Sequence, residues 1–189
     1  MGEPDHAFIT RRRLLAGVGS AAAAHRAGQS DAAATSEATP APDAPADHFD
    51  QAEAAALGAL GKTLVPSARE AGIVRFVDEQ LGRASPMLTL KYLDYAGEYA
   101  DFYRQGLTAL DAQAMARRGR RFADLAAADQ TAIVGAVAGG TAEGWSGPPA
   151  PLFYFALRGD AVDVVYGTHE GFARLGVPAM PHIVPPQEW

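Results

Sequence analysis

The feature that most constrains the fold of this 189-residue chain is a row of aromatic side chains between Pro86 and Arg118. The rings recur at steps of three, four, three and one residue: Tyr92, Tyr95, Tyr99, Phe102 and Tyr103. Residues three or four apart share one face of an α-helix, because a turn takes about 3.6 residues. No proline follows Pro86 in this stretch, so the spacing predicts one long helix that ends near Arg118.

Shorter segments with helical spacing lie on both sides of this row. They run from about Asp50 to Leu64, from Ile73 to Leu81, from Ala127 to Val137 and from about Pro151 to Tyr166. Asp50 and Glu53 have the spacing of a capping box at the start of the first segment, and Pro66 stops it. In the last segment we expect these side chains to be buried: Phe153, Phe155, Leu157, Val162 and Val165.

The C-terminal residues 167–189 hold three glycines and four prolines. That composition predicts an extended, irregular tail that lies against something else. No pair of strands and no internal repeat is evident in the sequence. The prediction is therefore an all-α fold, a small bundle of about five helices with an extended irregular C-terminal tail.

The first 27 residues have the pattern of a twin-arginine export signal. Thr10 precedes the pair Arg11 and Arg12, and Leu14 and Leu15 follow after one further residue. The apolar run that begins at Leu14 is 11 residues long, about half of the ~20 residues that a membrane-spanning helix needs. A small-residue cleavage site fits at the end of the run. A general secretory signal and a cytosolic basic tail are the alternatives for this segment.

Residues 28–46 form an Ala- and Pro-rich stretch without any aromatic, Val, Ile, Leu or Met residue. Such a stretch cannot bury enough apolar area to offset its chain entropy, so it is predicted to be a disordered linker. The expected organisation is a signal peptide over residues 1–27, this linker, and an all-α domain over residues 47–189.

Charge and cysteine content exclude several classes of function. Beyond residue 27 the chain carries 20 acidic and 12 basic residues, a net charge of −8. A nucleic-acid-binding protein usually has a basic surface instead. The chain has no cysteine, which excludes disulfides, thiolate metal sites, covalently attached haem and cysteine nucleophiles.

No group of residues predicts a catalytic or metal site. The five histidines include no i, i+4 pair, and the motifs G-x-G-x-x-G, G-x-x-x-x-G-K-[ST] and G-x-S-x-G do not occur. Asp94, Glu98 and Asp101 have the residue types of a general acid/base group, but a solvated helix face is the favoured interpretation. We therefore predict no catalytic, cofactor-binding or metal-binding residue in this chain.

Tyrosine and arginine are common anchors of protein–protein interfaces. Core packing is the default role of the aromatic row, and a pocket for a ring-shaped ligand is an alternative. Five large rings exceed what one helix of a small bundle needs, so part of the row and the C-terminal region are predicted to face a partner. The candidate interface residues are Tyr92, Tyr95, Tyr99, Tyr103, Tyr166 and Phe172.

A basic cluster lies at the end of the predicted long helix, and it consists of Arg117, Arg118, Arg120 and Arg121. A solvated helix end is its expected role, because cations oppose the negative pole of a helix. Docking to a partner is the alternative role.

Five segments of the chain occur in a characteristic order. They are Glu53 with Leu57, Leu60 and Leu64–Pro66; GIVRFVD from Gly72 to Asp78; YRQGLTALD from Tyr103 to Asp111; GRRFADL before Gln130; and DVVYGTHEGFARLGVP from Asp163 to Pro178. With the leader, they resemble the small subunit of gluconate 2-dehydrogenase, the subunit 3 family. Many members carry Tyr-Gly-Gly-Asn near the end, whereas here Tyr166 and Gly167 are followed by Thr168, His169 and Glu170.

The resemblance implies a non-catalytic subunit of an oxidoreductase complex that acts on CH–OH groups. Family complexes pair this subunit with a large FAD-binding dehydrogenase of the glucose–methanol–choline type, and often with a multi-haem cytochrome c. FAD is thus expected in the large partner and haem c in the cytochrome, with no cofactor in this chain. Substrates of such complexes include gluconate, glucose, fructose and related polyols.

The leader and the resemblance together suggest an escort role. Tight binding of FAD stabilises only the folded apoprotein, so a flavoprotein loaded in the cytoplasm has to cross the membrane folded. This chain is expected to carry it through the twin-arginine translocase into the periplasm, and to remain as a structural clamp that is membrane-associated through partner subunits. A stand-alone periplasmic enzyme or ligand-binding helical domain is the alternative.

Overall fold

The computed structural model describes residues 47–178, which form helices joined by short loops. In chain order the helices are α1 Gln51–Leu64, α2 Ile73–Leu81, α3 Thr89–Tyr92, α4 Tyr99–Arg118, α5 Ala127–Ala138, α6 Ala150–Tyr166 and α7 His169–Arg174. One 3₁₀ turn, Phe122–Asp124, lies between α4 and α5. No strand occurs between residues 47 and 178, so the predicted all-α fold is confirmed. Five of the helices are longer than two turns, and α3 and α7 are short additions to the predicted bundle.

Helix α1 occupies the centre of the bundle. Its start is the predicted capping box: Asp50 Oδ1 accepts from the Glu53 amide at 2.8 Å, and Glu53 Oε2 accepts from the Asp50 amide at 2.9 Å. From Ala54 to Gly61 nearly every residue is buried, because α1 packs against α2, α4, α5 and α6. A helix made of Ala, Gly and Leu allows these four neighbours to approach closely.

The predicted single helix through the aromatic row is wrong. Helix α3 ends at Tyr92, residues 93–98 form a loop, and α4 begins at Tyr99. Asp94 has a φ of 50°, a left-handed conformation that a continuing α-helix does not allow. The break lets the Tyr95 ring turn back onto Phe102, with 5.0 Å between ring centroids. The aromatic row is thus divided between a loop and two helices.

Helices α4 and α6 touch where a glycine meets a ring. A Cβ atom on Gly106 of α4 would lie 2.1 Å from the Phe153 ring of α6, so only glycine fits there. Phe153, Leu157 and Val165 of α6 are buried as predicted. Phe155 and Val162 are exposed, contrary to the prediction. They lie two and nine positions after Phe153, and both spacings place a residue on the opposite side of a helix.

The C-terminal part differs from the predicted irregular tail. Residues 169–174 form α7, which begins where the Thr168 hydroxyl accepts from the Gly171 amide at 3.0 Å. The export-signal residues Arg11, Arg12, Leu14 and Leu15, the linker and residues 179–189 lie outside the described residues. Within the described part of the chain, no helix has the length and apolar content needed to cross a bilayer.

Candidate partner interface

A shallow groove of about 500 Å³ opens between α2, α3 and α6. Phe76 of α2, Met87 and Tyr92 at the two ends of the α3 segment, and Asp163 and Gly167 of the α6 end line it. Met87 is 52% exposed and Tyr92 is 64% exposed, and the Tyr92 hydroxyl lies 3.8 Å from the Met87 sulfur. Large apolar side chains with this exposure around a groove are typical of a surface that another molecule covers.

The backbone of the α3 segment is held on both sides. The Met87 amide donates to Gln80 Oε1 of α2 at 2.7 Å, and the Thr89 amide donates to Asp160 Oδ1 of α6 at 2.8 Å. A Cβ on Gly159 would lie 2.3 Å from the Thr89 hydroxyl oxygen, so α3 rests directly on the α6 backbone. These contacts fix the position from which Met87 and Tyr92 project.

Beneath the groove lies a buried acid. Asp160 and Tyr103 both have no exposed surface, and the Tyr103 hydroxyl donates to Asp160 Oδ2 at 2.5 Å. Burial raises the pKa of Asp160 to about 6, against the opposing effect of the hydrogen bonds from Tyr103 and Thr89. Burial and then the Asp160 charge raise the pKa of Tyr103. One carboxyl group thus joins α3, α4 and α6.

Exposed apolar side chains continue along α6. Val162 precedes Asp163 at the groove edge, and Phe155 lies two turns earlier on the same side of the helix. Leu93, which follows α3, is also exposed. We call this surface the apolar face, and it consists of Met87, Tyr92, Leu93, Phe155 and Val162.

The predicted interface residues are not all at the surface. Tyr92 is well exposed, whereas Tyr95 and Tyr99 are half-buried, and the Tyr95 ring lies against both Tyr99 and Phe102. Tyr103 lies in the core of this structure and offers no surface to a partner. The remaining two predicted residues, in and after α6, are half-buried: Tyr166 and Phe172.

The charged groups singled out in the sequence are solvated. Asp94, Glu98 and Asp101 are exposed, and Asp101 lies 3.9 Å from Arg104 in a surface ion pair. The four arginines at the end of α4 and just after it are also exposed, and Arg118 lies 2.8 Å from Asp129. Among residues 47–178 no cluster of three His, Asp or Glu side chains has the arrangement of metal ligands.

The groove chemistry suits an apolar side chain and does not suit FAD. Of the described residues that line it, only Asp163 is charged, and burial raises the pKa of its carboxyl group. A pyrophosphate is bound by cations or by backbone amides at a helix start. A carboxylate at that position would repel a pyrophosphate.

The family comparison covers the whole of this arrangement. The family described as Gluconate 2-dehydrogenase subunit 3 matches residues 51–177, well over half of the 189-residue chain. The chain belongs to this family. The resemblance noted in the sequence is therefore confirmed. No curated protein and no solved structure matches the chain.

Membership of the subunit 3 family implies a place in an oxidoreductase complex that contains a dehydrogenase. The matched residues include all seven helices of the described part, the groove and the four arginines at the end of α4 and just after it. Two features of the site were not predicted from the sequence. They are the burial of Asp160 and the exposure of Phe155 and Val162 on α6. Asp160 lies seven residues after Phe153 and three after Leu157, so it shares their helix face, and the same spacing is the signal that could have predicted its burial.

Proposed function

We propose that this chain is the non-catalytic small subunit of a periplasmic, FAD-dependent dehydrogenase complex of the glucose–methanol–choline type. It carries the folded flavoprotein through twin-arginine export and stabilises it afterwards. A multi-haem cytochrome c is the further partner that the family suggests. The observation that carries the proposal is the subunit 3 family match over residues 51–177.

The apolar face is the surface proposed for the flavoprotein. Its five side chains, Met87, Tyr92, Leu93, Phe155 and Val162, are between 38% and 64% exposed. Complete burial would add about half of the ~1.5–3 kcal/mol per large apolar side chain, or roughly 4–7 kcal/mol in all. A complex with a Kd of about 1 nM needs about 12 kcal/mol. The apolar face therefore supplies a large part of such an interface and requires further contacts elsewhere.

The escort role is tested by changing the arginine pair of the leader. The two arginines of the pair, Arg11 and Arg12, are changed to lysine (R11K/R12K), and Arg13 is changed to lysine (R13K) as the matched control, since it lies at the variable position of the signal. Cells carrying each variant are separated into cytoplasm and periplasm, and flavin-dependent dye reduction is measured in both fractions. We expect R11K/R12K to leave the small subunit and the flavoprotein in the cytoplasm, and R13K to export both.

Two outcomes contradict the proposal. Normal export of the flavoprotein beside R11K/R12K would show that it does not travel with this chain. Dye-reducing activity of the purified mature chain alone would instead support a stand-alone enzyme.

The apolar face is tested in the same complex. We expect Tyr92→Ala to weaken binding of the flavoprotein about 10-fold or more, as for an aromatic interface anchor. Lys62→Ala is the control, because Lys62 is exposed on α1 and lies outside both the apolar face and the C-terminal region. Equal binding by both variants would remove the apolar face from the interface.

A further inference from the structure

The four arginines at the end of α4 and just after it are held by a defined turn. Gly119 ends α4 with a φ of 67°, and its amide donates to the Met115 carbonyl at 2.9 Å. Phe122 is fully buried, its amide donates to Asp111 Oδ1 at 2.9 Å, and its carbonyl accepts from Gln130 Nε2 at 2.9 Å. We call this segment the arginine turn, and it carries Arg117, Arg118, Arg120 and Arg121.

Three of the four arginines of the turn form no ion pair within the described residues. Arg118 pairs with Asp129, whereas Arg117, Arg120 and Arg121 form no ion pair with any residue between 47 and 178. The helix dipole accounts for cations in the last turn of α4, but its effect falls off at the helix end. Arg120 and Arg121 lie beyond that end. Three unpaired cations are thus concentrated in a chain whose net charge after residue 27 is −8.

The surroundings of the arginine turn are those of a protein interface. Met115 is 51% exposed, and it lines a groove of about 380 Å³ together with Leu107, Arg121 and the acidic residues Asp50, Glu53 and Asp111. Arg117 and Arg120 do not line this acidic groove, so the site for a partner's carboxylates lies on their side of the turn. Arginine and methionine are enriched in interfaces relative to the remaining surface. The turn lies at the opposite end of α4 from the α3 segment, and α4 has 20 residues, so the two surfaces are separated by about 30 Å.

The chemistry of the turn selects carboxylates on a protein. An anionic leaflet usually requires clusters of about 4–8 basic residues close to the membrane, and this chain offers three unpaired ones against an overall negative charge. Nucleic acid is disfavoured by the same charge balance. Arginine forms two parallel hydrogen bonds to a carboxylate, a geometry that lysine does not provide.

We infer that the arginine turn is a second docking site, which binds a cluster of carboxylates on the surface of the dehydrogenase partner. This inference rests on the proposed function, and it supplies contacts that the apolar face alone does not provide. Long-range attraction at this end of α4 would speed and orient the encounter, while the apolar face would retain the partner.

The test compares two triple variants with the same change in net charge. In R117Q/R120Q/R121Q the unpaired cations of the turn become neutral. In the control, K62Q/R75Q/R174Q, three exposed cations on α1, α2 and α7 become neutral. The association rate of each mature chain with the separated flavoprotein is measured at low and at high NaCl concentration.

We expect the turn variant to associate about tenfold more slowly than the wild type at low salt, and the control to associate at nearly the wild-type rate. The difference should vanish near 1 M NaCl, where the screening length is about 3 Å. R117K/R120K/R121K should keep the association rate and dissociate faster, because it retains the charges and loses the paired hydrogen bonds. Equal slowing of the two triple glutamine variants, or of neither, overturns the inference.

A second measurement does not depend on the flavoprotein. Each mature chain alone is titrated at low salt with a short glutamate-rich peptide, which the wild type and the control should bind more tightly than the turn variant does. If no flavoprotein complex forms, the proposed function fails, and equal binding of the peptide by all three chains then overturns the docking site as well. Loss of binding to phosphatidylglycerol vesicles by the turn variant, with unchanged association to the flavoprotein, would assign the turn to lipid and overturn it.

Discussion

The buried acid beneath the groove makes the stability of the bundle depend on pH in an unusual direction. Burial raises the pKa of Asp160 from 3.8 to about 6, so the folded chain holds this proton more tightly than the unfolded chain does. The protonated acid therefore makes its full contribution to the free energy of unfolding at low pH, and this contribution is lost as the pH rises through about 6. Most paired carboxylates act in the opposite direction, because their folded-state pKa is lowered.

The magnitude follows from the two pKa values. A shift from 3.8 to about 6 corresponds to about 3 kcal/mol at ~1.4 kcal/mol per unit. About 2 of these 3 kcal/mol are lost between about pH 4.5 and about pH 7.5, since part of the loss occurs at lower pH. Asp160→Asn removes the titrating group and keeps an oxygen for the Thr89 amide.

The assay is urea unfolding of the mature chain and of D160N across that pH range, followed by circular dichroism. We expect the free energy of unfolding of the wild type to fall by about 2 kcal/mol relative to D160N on going to the higher pH. Tyr103→Phe removes a hydrogen bond that lowers the pKa of Asp160, so it should move the transition to higher pH. Identical pH profiles for the wild type and D160N would refute the reasoning.

Further predictions concern packing and the helix ends. Gly106→Ala should lower the free energy of unfolding by about 1–3 kcal/mol in thermal or urea unfolding, because its Cβ meets the Phe153 ring; Gly135→Ala, with no atom within 4 Å of its Cβ, should raise it by about 0.5–1 kcal/mol. Asp50→Ala removes the capping box of α1 and should cost about 1 kcal/mol in the same assay. Gly159→Ala should displace α3 from α6 and weaken flavoprotein binding by about tenfold or more, measured by titration, although this position lies outside the apolar face.

The sequence is sufficient to predict the elements whose causes are local. The capping box at Asp50, the span of α2 and the approximate span of α6 depend on residues close together in the chain, and all three are confirmed. The break at residues 93–98 follows α3, whose backbone is held by a distant contact, the hydrogen bond from the Thr89 amide to Asp160 of α6, 71 positions later. Helical spacing of apolar residues indicates which residues share a helix face, but it does not indicate where the helix is interrupted.

In the candidate interface, too, the sequence predicts some features and misses those that depend on distant contacts. Tyr92 is exposed as an interface residue has to be, but Tyr103 is buried because Asp160, 57 positions later, accepts its hydroxyl hydrogen. The exposure of Phe155 follows from the orientation of α6, which the alternation of apolar residues leaves ambiguous. A polar residue at a buried helical position was the available signal for the Asp160 network.

Helix α3 has four residues, a single turn that would not persist as a peptide in water. It exists because Gln80 and Asp160 hold its backbone from two longer helices. An incompletely folded chain consequently has no assembled groove, because Met87 and Tyr92 are not yet held in position beside α2 and α6. Under the proposed function, the bundle therefore has to close before the groove can bind the dehydrogenase.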